Sequence, residues 1–134
     1  MLIKIFTTFG SIVTVGFGIW HFTVPSSFKW YSYIIPSATE LVLAVRAVNL
    51  LFSLCLVLFG AVNLVFLYAL PNKQALAVML ALSCILWGAR TVTQLVEPQG
   101  SVNPLMQYGM LAAFILTFCC FAVSFVLTLP ALKG

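Results

Sequence analysis

The sequence predicts an all-α, polytopic membrane protein with four transmembrane helices, and three observations carry that reading. Of its 134 residues, 63% are hydrophobic and 6% are charged, against roughly a quarter charged in soluble domains. Most of its surface must therefore face lipid. The charges also leave long gaps: none falls between Lys4 and Lys29, Arg46 and Lys73, Lys73 and Arg90, or Glu97 and Lys133. About 20 apolar residues cross a bilayer core as a helix, so each gap holds most or all of one crossing. Finally, the six prolines, Pro25, Pro36, Pro71, Pro98, Pro104 and Pro130, lie at segment edges. Edges tolerate a residue that lacks an N–H and clashes with the preceding turn. The segments are too long and too evenly apolar for barrel strands.

The elements follow in order within a single domain, residues 1–134. The first helix is expected over about residues 2–24, ending before Pro25. It has Lys4 and then an apolar run, but no small-residue cleavage site before a polar region, so it reads as an uncleaved helix. The loop after it contains Phe28, Trp30, Tyr31 and Tyr33, an aromatic belt suited to headgroup depth. The second helix is expected over about residues 38–70, opened by Ser37 and Glu40 as a capping box. Its length exceeds what a bilayer needs, so its first turns project or tilt. Pro71-Asn72-Lys73 is a turn so short that the third helix, about residues 74–96, must run antiparallel to the second. Asn103-Pro104 opens the fourth, about residues 104–129, as an N-cap followed by proline at the first helical position.

Polar residues are few enough to place one by one. At 100° per residue, Thr7, Ser11, Thr14, Gly18 and His21 form one stripe on the first helix. Arg46, Asn49, Ser53 and Gly60 form another on the second, with Asn63 at its margin, and Ser83, Trp87, Arg90, Gln94 and Glu97 a third. Small and hydroxyl residues on one face permit close packing and interhelical hydrogen bonds. Ionisable residues within membrane helices usually face the bundle interior or a wet cavity. His21, Arg46, Asn49, Arg90, Gln94 and Glu97 gather towards the first and third loops, whereas the other end looks almost wholly apolar. The plain reading is that Arg46 and Arg90 snorkel to headgroups and that Glu97 sits at the water line. The sharper reading is a pocket binding an anionic or carbonyl-bearing ligand through Arg46 or Arg90, with His21 exchanging a proton.

Several chemistries are excluded or weakened. The six cationic side chains are dispersed, leaving no nucleic-acid patch and no polybasic lipid-binding run. Cys55, Cys84, Cys119 and Cys120 lie in apolar segments without metal-ligand spacing and read as small buried packing. Two glutamates and no aspartate leave no paired-carboxylate site and no ordinary catalytic triad. No nucleotide-binding glycine motif is present. No cofactor is expected. Haem would need a second axial ligand beside His21, with only Met106 or Met110 at a comparable level, and a quinone is the other hydrophobic cofactor considered.

The segment Gly18-Ile19-Trp20-His21-Phe22-Thr23-Val24-Pro25-Ser26-Ser27-Phe28 reads G-x-x-H-F-x-x-P-x-x-F. It resembles the end of the first helix in DoxX-like small membrane proteins, which are four-helix chains of similar length. The resemblance touches Gly18, His21, Phe22 and Pro25. It implies a small bacterial-type membrane protein, some of whose relatives serve as membrane partners of an oxidoreductase near the quinone pool.

The expectation drawn from all this is an accessory or structural subunit, packing against other membrane subunits or its own copies, with lipid as solvent and no nucleic acid. The alternatives are a membrane component of an oxidoreductase handling a quinone-like substrate, and a small transporter or lipid-binding protein. Lys4, Lys73 and Lys133 on one side, against Lys29 with Arg46 and Arg90 near the other, favour cytoplasmic termini in a bacterial-type inner membrane.

Overall fold

The computed structural model describes residues Met1 to Leu132, so Lys133 lies outside the described residues. The chain is all-α: α1 (Leu2–Ser27), α2 (Thr39–Leu64), α3 (Lys73–Val96) and α4 (Pro104–Thr128), with no strand among the described residues. A 3₁₀ turn, Trp30–Tyr33, follows α1, and α2 continues into a π-helical turn, Val65–Ala69. All four helices are long and apolar enough to cross a membrane, the second being the longest at 31 residues with its π turn. The protein is a multi-pass integral membrane protein.

Close approach between backbones sets the packing. A Cβ on Gly18 would lie 2.9 Å from the Ser53 carbonyl oxygen, and one on Gly60 would lie 2.7 Å from that of Ser11. Glycine at these two positions lets α1 and α2 lie backbone to backbone. α4 covers another face of α1, with the Phe121 ring against Gly10, and α3 packs mainly on α4. α2 and α3 share a tight turn, yet they touch sparingly. Buried Leu56, Leu80, Trp87, Phe114 and Phe121 fill the centre. There the indole N–H of Trp87 donates to Thr14 Oγ1 at 3.0 Å, tying α3 to α1.

The N-terminal caps divide. Asn103 accepts from the N–H groups of Leu105 and Met106 at 3.1 and 3.4 Å, with Pro104 in the first helical position. Asn72 caps α3 likewise, accepting from the Ala75 N–H at 2.9 Å. The Ser37–Glu40 capping box does not form. Pro36 directs Ile35–Ala38 into a β-turn closed by the Ala38 N–H on the Ile35 carbonyl, 2.9 Å. That turn carries Ser37 out of the capping position, and α2 starts after Ala38 without a side-chain cap.

Three further expectations are corrected. α1 does not stop at Val24 but runs through Pro25 to Ser27. Proline has no N–H to give the carbonyl four residues earlier, that of His21; Asn49 Nδ2 donates to this carbonyl instead, at 3.2 Å. A neighbouring side chain thus repairs the break, as membrane interiors require. The loop-distal half of the bundle is not apolar inside. Thr7, Ser11, Asn63, Ser83, Ser124 and Thr128 are buried there, with Asn63 Nδ2 donating to Ser83 Oγ at 2.9 Å. Their stripes point inward, so a count of charges alone overlooks them. Of the cysteines, Cys120 is buried and Cys84 half-buried, whereas Cys55 and Cys119 are on the outer, lipid-facing surface; the 100° step that buries one member of the 119–120 pair exposes the other.

Candidate functional site

The site forms where α2 and α3 part, beneath the first and third loops. His21 comes from the last turns of α1 and is 9% exposed. Aromatic rings enclose it: Phe52 at 4.8 Å between centroids, Phe17 at 5.7 Å and Trp30 at 6.5 Å. Its Nδ1 is 3.4 Å from Ser53 Oγ, whose own proton goes to the Asn49 carbonyl at 2.7 Å. Asn49 therefore serves α1 through its side chain and Ser53 through its backbone.

Arg90 reaches the same space from α3. It lies six residues before the helix end, about 9 Å along the axis at 1.5 Å per residue. The guanidinium rests over the Phe114 ring, 4.6 Å from the centroid, and Nη2 donates to Gln99 Oε1 at 2.6 Å. Gln99 is held in turn by Gln94, whose Nε2 donates to the Gln99 carbonyl at 2.9 Å while Oε1 accepts the Gln99 N–H at 3.4 Å. The third loop is thus pinned back onto α3. Gly100 turns it with φ +74°, a left-handed conformation that favours glycine, and a Cβ there would meet Met110 at 2.9 Å. Among the described residues Arg90 makes no ion pair: its hydrogen-bond and cation–π partners are Gln99 and Phe114.

Two cavities share His21, Trp30, Arg90 and Gln99 as a common wall. One, about 240 Å³, is bounded further by Phe17, Trp20, Val24, Phe28, Gly100, Met106 and Met110. The other, about 560 Å³, lies along Leu41, Ala44, Val45, Val48, Asn49 and Phe52 of α2. Its edge residues Leu41 and Val48 are 52% and 68% exposed, so this cavity is open towards the membrane. Arg90 is the one charged side chain in either lining. The arrangement offers a guanidinium fork, a carboxamide and an imidazole in a largely aromatic and aliphatic enclosure. Those groups can orient a polar head while the walls take up an apolar body.

Of the six residues singled out in the sequence, His21, Asn49 and Arg90 line the cavities. Gln94 is buried one step behind, positioning Gln99. Arg46 and Glu97 are not part of the site. Arg46 is exposed and lies over the Tyr31 ring at 5.0 Å, outside both cavity linings. Glu97 is the exposed C-cap residue of α3, where the chain leaves the helical face that had aligned it with Arg90. Sequence reasoning missed Gln99, Phe52 and the site role of Trp30. Gln99 sits in a loop, where periodicity says nothing, and Trp30 is half-buried against His21. Tyr33 is 84% exposed.

Met106 and Met110 do share a cavity with the single histidine, so the residues considered for haem come to one space, although His21 is closed in by rings. Among the described residues no group of three or more His, Cys, Asp or Glu side chains could hold a metal ion. The positions bearing the DoxX-like resemblance have separate roles: Gly18 permits the α1–α2 approach, His21 lines the site, Pro25 frees a carbonyl, and Phe22 faces outward. Compared with protein-family models, curated proteins and solved structures, this chain of four membrane-spanning helices has no match.

Proposed function

We propose that this protein is a small membrane binding protein that holds a hydrophobic molecule by its polar head at Arg90 and His21. The observation that carries the reading is Arg90 itself. A cation inside a membrane helix is costly and is usually paired, yet this one has no carboxylate in reach among the described residues and borders both cavities. The head is anionic or carries a carbonyl, as a quinone does, because the donors present are a guanidinium and an imidazole. The apolar remainder lies against the α2 wall. In this reading the termini are cytoplasmic in a bacterial-type inner membrane, supported by Lys4 and Lys73 on that side, and the DoxX-like resemblance around His21 agrees with a site there.

The test is extraction from the native membrane in mild detergent, followed by mass spectrometry of the small molecules retained. Wild type is expected to enrich one hydrophobic compound with an acidic or carbonyl head over bulk lipid. Arg90→Gln should lose it and Arg46→Gln should keep it. Identical lipid profiles for wild type and Arg90→Gln would refute the reading. A fixed set of membrane proteins travelling with an unliganded chain would instead assign it the role of an accessory subunit.

A further inference from the structure

We propose that the head bound at Arg90 is a carboxylate, so that the ligand is a hydrophobic monocarboxylic acid of the fatty-acid kind rather than a neutral carbonyl compound. This rests on the binding reading above and narrows it. A neutral carbonyl would accept a hydrogen bond from Arg90 but leave its charge uncompensated, where the surrounding rings and aliphatic walls solvate it poorly. A carboxylate cancels that charge and also matches the guanidinium fork with two parallel hydrogen bonds. The described residues supply no substitute: neither cavity has an acidic lining residue, and both glutamates, Glu40 and Glu97, are exposed elsewhere.

The same inventory limits the ligand to one negative charge. A single cation faces the space, and the Gln99 side-chain oxygen already takes one of its protons. A dianionic phosphate monoester would therefore remain half-neutralised. Shape adds a second restriction. The 240 Å³ cavity is ringed by Phe17, Trp20, Trp30 and Phe28, which leaves room for a compact head. The larger, membrane-open cavity is aliphatic along α2 and suits a single hydrocarbon chain.

Trp20 and Trp30 border the smaller cavity, and bromine quenches indole fluorescence on contact. The wild-type protein in nanodiscs is titrated with 6-bromododecanoate, whose bromine lies close enough to the head to meet Trp30 on the wall shared by the two cavities, and with its methyl ester, at matched mole fractions and alkaline pH. The acid is expected to give saturable quenching at least tenfold tighter than the ester. Arg90→Gln should bring the acid down to the ester's affinity, whereas Arg90→Lys, which keeps the charge and loses the fork, should fall between them. Equal saturable binding of acid and ester would overturn the carboxylate assignment and leave the binding site standing. Quenching that never saturates for either would bring down both readings. The wild-type comparison of acid and ester decides the matter even where a variant fails to accumulate.

Discussion

Asn49→Leu removes the Nδ2 donor that the His21 carbonyl receives at 3.2 Å, with little change in side-chain volume. In an ordinary helix the loss would be minor, since the N–H four residues on satisfies that carbonyl. Residue 25 is proline, so the substitution leaves a buried carbonyl without its donor. An orphaned buried acceptor costs about 1–3 kcal/mol, while measured interhelical side-chain bonds in membranes average about 0.6 and reach about 1.7 kcal/mol. The bond here is at the long end of the normal range. Leucine also removes the Asn49 Oδ1 atom, which is buried without a partner. These considerations set the expected destabilisation at about 1 kcal/mol. Pro25→Ala restores the missing N–H, so in that background Asn49→Leu should cost no more than about 0.3 kcal/mol, the ordinary scatter of independent sites. The four-member cycle is measured by reversible unfolding in mixed micelles with increasing SDS. An equal cost in both backgrounds would refute the coupling and mean that Asn49 stabilises the bundle by some route other than the carbonyl freed by proline.

The remaining predictions use the same unfolding assay. Gly60→Ala should destabilise by about 1–3 kcal/mol, because the new methyl would meet the Ser11 carbonyl at 2.7 Å and force α1 from α2. Gly16→Ala, with nothing within 4 Å of its Cβ, should be neutral or stabilising by up to about 1 kcal/mol; similar losses at both glycines would contradict the packing. Asn103→Ala should cost about 1 kcal/mol through the lost cap, whereas Ser37→Ala should leave stability unchanged because Ser37 caps nothing. A double-mutant cycle of Trp87→Phe and Thr14→Val should give a coupling of about 0.6 kcal/mol, and strict additivity would remove the hydrogen bond from the account of α3–α1 packing.

Much of this protein is legible without coordinates. Charge gaps, edge prolines and the Asn103-Pro104 pair locate four helices because a bilayer imposes one length and one composition on anything that crosses it. The inward stripe of α1, from Thr7 to His21, is equally local: a 3.6-residue period and the exclusion of hydroxyls from lipid suffice to orient it. Tertiary structure alone decided the rest. Whether Arg46 and Arg90 are alike cannot be told from two isolated cations near helix ends; they differ because Arg90 lies against Phe114 and Gln99 on the cavity wall, while Arg46 lies outside it over Tyr31. Gln99 enters the site through a loop, and the carbonyl that Pro25 frees is satisfied by Asn49, on another helix. Crossing the membrane is a demand each segment meets by itself, so it is written segment by segment. The site is a relation between segments, and it exists only once the helices have packed.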